Sequence, residues 1–105
     1  MVFNTGAALL DAIVLAVVSQ TPEGTYGYKI TQEVRNVIEL SESTLYPVLR
    51  RLETSGALRV YSIEHNGRLR KYYAITDEGR QKIQAFLQEW EAVMKVYEFI
   101  RRDEA

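Results

Sequence analysis

The sequence contains no cysteine, which excludes disulfides, thiolate metal sites and cysteine nucleophiles and fits a reducing cytoplasm. It contains one histidine, His65. Zinc needs three or four protein ligands, and a serine–histidine pair needs an orienting acid in a pocket. His65 stands alone beside a turn signal, so it reads as an exposed turn residue, and no metal or other cofactor is implied. No phosphate-binding glycine loop or nucleophile–base pair is visible, so the chain reads as a non-enzyme. The longest apolar run, Ala7 to Val18, is interrupted by Asp11 and is too short to span a bilayer. The start, Met1-Val2-Phe3-Asn4, lacks the basic region of a signal peptide. A soluble, cytoplasmic protein with no membrane partner is expected.

Excess charge is missing too. Net charge is −1 over 105 residues, with 26% charged and 47% apolar, an ordinary balance for one globular domain. DNA-binding domains tend to be basic, so the sum counts against nucleic acid. The distribution counts the other way. Residues 57–76 carry Arg59, Arg68, Arg70 and Lys71 against Glu64 alone, whereas residues 1–40 and 77–105 are each net acidic. Local field, more than net charge, steers a polyanion.

Thr5 to Ser19 favours helix, with Leu9, Leu10, Ile13, Val14, Val17 and Val18 at helical spacing and Ala7, Ala8, Ala12 and Ala16 on part of the remainder. A helix so apolar must be covered by more than one neighbour. Thr21-Pro22-Glu23-Gly24-Thr25 is a turn. A second helix is predicted from Tyr26 to about Val37, burying Ile30 and Val34, with Gly27 permitting close backbone approach. Leu40-Ser41-Glu42-Ser43 is the turn into a third helix that either Ser41 or Ser43 could cap. Capping by Ser41 places Pro47 inside the helix, with a kink or a lost hydrogen bond; capping by Ser43 leaves it at the first turn.

The third helix should bury Leu45, Val48, Leu49 and Leu52, expose Ser43, Thr44, Tyr46, Arg50, Arg51 and Glu53, and stop at Ser55-Gly56. Leu58, Val60, Tyr61 and Ile63 read as a strand, Asn66-Gly67 as a tight hairpin, and Leu69 to Ile75 as the returning strand. Asp77 and Glu78 suit the start of a last helix reaching about Arg102. Ile83, Phe86, Trp90, Val93, Tyr97 and Ile100 alternate at spacings of three and four, a coiled-coil seam widened by Leu87 and Met94. A partner helix is the simplest explanation. The fold class is therefore mainly α with a small β-hairpin: a winged helix-turn-helix over residues 1–76, then a long C-terminal dimerisation helix over residues 77–105 that packs with helix 1.

Several motifs together resemble the PadR family of transcriptional regulators. They are Tyr26-Gly27-Tyr28 with Ile30, Thr44-Leu45-Tyr46-Pro47-Val48-Leu49-Arg50-Arg51-Leu52-Glu53 with Gly56, Arg70-Lys71-Tyr72-Tyr73-Ala74-Ile75-Thr76, and Glu78-Gly79. The resemblance implies a bacterial homodimer joined through its C-terminal helix that represses nearby genes from an inverted-repeat operator in double-stranded DNA. It also implies DNA contacts from Ser43, Thr44, Tyr46 and Arg50 on the third helix, from Arg68, Arg70 and Lys71 on the wing, and from Tyr28.

The single tryptophan, Trp90, has two readings. In the first it is a dimer-core residue, with Ile83, Phe86, Leu87, Val93, Tyr97 and Ile100 completing the interface. In the second, drawn from relatives that sense planar aromatic or multidrug-like compounds, it flanks a slot for such an effector. Ala8, Ala12, Phe86, Val93 and Met94 would then line the slot, and Asp11 would be an acidic handle. A winged-helix module that docks another protein, without an effector pocket, is the alternative.

Overall fold

A computed structural model describes residues 5–102. The order is α1 (Thr5–Ser19), β1 (Thr25–Tyr26), α2 (Gly27–Arg35), α3 (Glu42–Thr54), β2 (Leu58–His65), β3 (Arg68–Ile75) and α4 (Asp77–Arg102). The strands form one antiparallel sheet in the order β1-β3-β2. This is the winged helix-turn-helix read from the sequence: mainly helical, with a hairpin wing and a long last helix.

The stripes of three short helices meet in one core. Val14, Leu15 and Val18 of α1, Ile30 and Val34 of α2, and Leu45, Leu49 and Leu52 of α3 are almost fully buried. Val48, Ala57 from the α3–β2 link, and the sheet residues Leu58 and Tyr73 close the cluster. The four residues predicted to form the buried face of α3 do so. In α1 the buried set also includes Leu15, which the predicted stripe omitted; this helix is covered by α2, α3, β3 and α4.

Residues 26–37 are not one helix. Tyr26 lies in β1, where Thr25 and Tyr26 pair with Tyr73 and Tyr72 of β3, and α2 runs only from Gly27 to Arg35. Pairing across the sheet outweighs the local helical tendency there. The link to α3 is correspondingly longer, residues 36–41, and Arg35 Nε closes it by donating to the Leu40 carbonyl at 3.1 Å.

Ser41, not Ser43, begins α3. Its carbonyl accepts the N–H groups of Thr44 and Leu45, both at 3.1 Å. Its hydroxyl bonds no helix N–H, meeting instead Ser43 Oγ and Thr44 Oγ1, each at 3.0 Å. Pro47 consequently sits inside the helix and cannot donate to the Ser43 carbonyl. Both residues are exposed, so water can serve that carbonyl. The helix ends at Gly56, φ +84°, with Ala57 N–H donating to Leu52 O at 2.9 Å and Gly56 N–H to Glu53 O at 3.0 Å.

The wing follows its turn. Asn66 and Gly67 take φ of +52° and +78°, the left-handed pair that a two-residue hairpin requires. β2 and β3 then pair from His65–Arg68 down to Leu58–Ile75.

Thr76 caps α4. Gly79 N–H donates to Thr76 Oγ1 at 3.1 Å, and that hydroxyl faces the carbonyls of Gly56 at 2.6 Å and Ala57 at 3.0 Å. The last helix is thereby fastened to the α3–β2 junction. Its 26 residues extend about 39 Å, carrying it well beyond the head. The chain measures 62 × 26 × 20 Å with a radius of gyration of 16.1 Å, where a globule of this length would have about 13 Å.

Candidate nucleic-acid interface

Burying Leu45, Val48, Leu49 and Leu52 fixes what α3 presents outward: Ser43, Thr44, Tyr46, Pro47 and Arg50 are all exposed. The wing rises beside this face and the first turn of α2 borders it. Between them lies an open concavity of about 980 Å³ whose walls include Tyr28, Tyr46, Arg50, Arg68, Arg70 and Lys71. Six of the eight DNA-contact candidates thus share one surface, with Glu53 the acid among its lining residues. Ser43 and Thr44 lie at the exposed N-terminal end of α3.

One of these cations, Arg70, is held in place by an aromatic ring. The Arg70 guanidinium lies over the Tyr26 ring at 4.5 Å, and Tyr26 meets Tyr72 edge-on at 5.7 Å. Tyr72 in turn stacks on Tyr61 at 5.8 Å, with Arg59 over Tyr61 at 5.1 Å. Three tyrosines from three strands therefore brace two arginines, each cation–aromatic contact adding about 0.5–1 kcal/mol at an exposed site. The Tyr61 phenol also donates to the Glu23 carbonyl, tying the wing's base to the α1–β1 turn. Tyr26 is the residue that sequence reading missed. Its role depends on a two-residue strand, too short for any periodicity to show.

Lys71 Nζ stands 3.9 Å from Glu53 Oε1 and 5.9 Å from the Tyr73 ring centre. Such an exposed pair is weak and is readily exchanged for a phosphate. Burial, reinforced by Glu53 and Tyr46, pushes the Tyr73 phenol up, with Arg50 opposing. It therefore stays neutral and adds no negative charge to the surface. Tyr46 packs against Gly27, where a Cβ would come within 3.2 Å of its ring, the close approach predicted there. Tyr28 is 61% exposed, and its hydroxyl accepts a bond from Gln32 Nε2 at 3.1 Å. His65, at the end of β2, is exposed.

On α4 the predicted seam divides. Ile83 packs against the core, and Phe86 and Val93 are half-buried. Trp90 is 38% exposed and stacks on Phe86 at 5.9 Å, while Leu87, Met94, Tyr97 and Ile100 are open to solvent. Val96 and Phe99, outside the seven-residue pattern, are exposed as well and widen the uncovered face. Ala8 and Ala12 are half-buried on α1, which packs against α4.

Asp11 requires a correction. It offers no free carboxylate to a cationic compound, because one oxygen pairs with Arg51 Nη2 and the other lies 3.5 Å from Lys82 Nζ. Arg51, predicted to be a solvated cation on α3, is the other half of that pair. Among the described residues no cluster of three or more potential metal ligands occurs, and no helix is long and apolar enough to cross a membrane.

An outward-facing helix, a cationic hairpin and a braced concavity between them define a winged-helix DNA-binding protein. The model of the transcriptional regulator PadR-like family matches residues 14–85, and the chain belongs to that family. It is therefore a DNA-binding transcriptional regulator. It is similar to a crystal structure from Streptococcus mutans UA159, at 37% identity over 97% of this chain and 94% of that one, with a TM-score of 0.77. A PadR family transcription regulator from hypervirulent Clostridium difficile R20291 is 31% identical over 87% of this chain and 96% of its own, with a TM-score of 0.75. A PadR-like transcriptional regulator from Bacillus cereus strain ATCC 14579 is 27% identical, with coverages of 93% and 96% and a TM-score of 0.74.

Proposed function

We propose that the protein is a cytoplasmic, homodimeric repressor that reads an inverted-repeat operator and is released by a planar aromatic effector. In this reading residues 1–76 are the reading head and residues 77–105 the dimerisation helix. Ser43, Thr44, Tyr46 and Arg50 enter the major groove. Arg68, Arg70 and Lys71, helped by Tyr28, take phosphates or the neighbouring groove. Two heads related by a two-fold axis would meet half-sites about 34 Å apart. The observation that carries the reading is the single concavity joining cations of α3 and the wing.

Arg70→Ala/Lys71→Ala tests it. Against a duplex selected from a random library by the native protein, the pair should lose about 10- to 100-fold in affinity. The slope of log affinity against log salt should fall by about two. Native affinity and slope in the variant would reject the wing contact.

The uncovered face of α4 supports the dimer, since apolar area of this extent on a soluble helix calls for a partner. Trp90, with Ile83, Phe86, Leu87, Val93, Tyr97 and Ile100, would form that seam. Trp90→Ala should raise the dimer dissociation constant about 30-fold or more, the mark of a central aromatic anchor, as read by sedimentation. An effector slot at the same centre would be lined by Ala8, Ala12, Phe86, Trp90, Val93 and Met94, and quenching of Trp90 emission by planar compounds reports it.

A further inference from the structure

Asp11 lies in the most apolar stretch of the chain, yet it is the acid on which three helices converge. Its side chain is 9% exposed. One carboxylate oxygen accepts from Arg51 of α3, forty positions away, and the other sits 3.5 Å from Lys82 of α4. The two cations are each half-exposed, at 50% and 42%. They could be hydrated without Asp11; the buried acid is the group that needs them.

A buried ion pair contributes little net stability compared with apolar packing. What it supplies is a point of attachment, because one charge-assisted hydrogen bond from Arg51 Nη2 to an Asp11 oxygen ties α3 to α1. Arg50 and Arg51 are neighbours about 100° apart on the helix. Arg50 lines the concavity, whereas Arg51 turns back to α1. Rotating α3 about its axis or sliding it past α1 would break the Arg51 bond. Shifting α4 along α1 would break the Lys82 contact.

We propose that Asp11 is a positioning residue for the reading helix: by gripping Arg51 and Lys82 it locks α3 to the α1–α4 pair, so that the aim of α3 follows the dimerisation helix. The inference rests on the DNA-reading function proposed above and adds the joint that carries motion of α4 to the protein–DNA surface. Asp11 itself touches no DNA.

Simple electrostatics and positioning predict opposite results for Asp11→Asn. Removing an acid should tighten binding to any polyanion. Loss of aim should weaken binding only where sequence is read. The experiment compares the full-length native protein with Asp11→Asn, Arg51→Met, Arg51→Lys and Lys82→Met on two duplexes. One is selected from a random library by the native protein and the other is a scramble of the same composition.

For Asp11→Asn, the ratio of the two affinities should fall about tenfold, equivalent to about 1.4 kcal/mol, with the scrambled duplex bound within about twofold of native. Arg51→Met should reproduce the fall, and Arg51→Lys, which keeps the charge, should restore most of it. A folded Asp11→Asn with native ratio, or with both affinities lowered together, overturns the proposal. If Asp11→Asn does not fold, Arg51→Met and Lys82→Met, altered at half-exposed positions, decide it by the same ratio. A native protein that selects no duplex defeats the DNA-reading function itself, and is thereby distinguished from failure of the joint.

Discussion

Leu52→Ala is expected to cost about 2–5 kcal/mol of folding stability. Leu52 is completely buried on α3, at the meeting of the three-helix core with the sheet. Truncation removes the transfer energy of its methyl groups and leaves a cavity in a core drawn from α1, α2, α3 and the sheet, so collapse around it is restricted. The Leu52 carbonyl also receives the Ala57 N–H that closes the helix end, so a shift there loosens the link into β2.

Small domains hold only about 5–15 kcal/mol in total, and this one has no disulfide to supplement its core. At about 4–8 °C per kcal/mol, the thermal midpoint should drop by about 8 °C or more at fixed protein concentration. Leu69→Ala is the matched control. Leu69 is 77% exposed on the wing, and its loss should stay within about 0.5 kcal/mol. Comparable midpoints for the two variants would mean that α3 is not held by the core described here.

The parts legible in the sequence were those written in local chemistry. The buried face of α3 follows from the offsets among Leu45, Val48, Leu49 and Leu52. The wing follows from Asn66-Gly67, and the start of α4 from the acids Asp77 and Glu78. The cations that line the concavity could be picked out because they cluster in the same short segments. Three features were not legible, and two of them depend on residues distant in the chain. β1 exists because Tyr73 and Tyr72 offer it a pairing edge, not because of any pattern in Thr25-Tyr26. The choice of Ser41 over Ser43 turns on Pro47 lying on the exposed side, where the lost hydrogen bond is inexpensive. Asp11 looked like a free handle because a single acid in an apolar run carries no mark of which cations will reach it. Arg51 and Lys82 do so only after α1, α3 and α4 have packed.

Gly79→Ala separates local propensity from tertiary contact most sharply. In an isolated helix the exchange would stabilise by about 1 kcal/mol, since alanine is the better helix former. In this fold it should destabilise by about 2–3 kcal/mol, because the site is overpacked. A Cβ at Gly79 would stand 2.3 Å from the Ala57 carbonyl oxygen and 2.7 Å from Ile75 Cγ1. The first of these is backbone and cannot swing aside. That same carbonyl accepts the Thr76 N–H at 3.2 Å and faces the Thr76 hydroxyl, so moving it would undo the cap of α4. Relief must come from displacing the start of α4 away from the α3–β2 junction. The displacement would also pull Lys82, on the next turn, relative to Asp11. Urea unfolding should therefore show a lower midpoint, and the preference for a library-selected duplex over its scramble should fall with it. A midpoint raised by the alanine would show that α4 leaves the head with room to spare, and would remove the rigid joint through which the last helix is proposed to aim the reading surface.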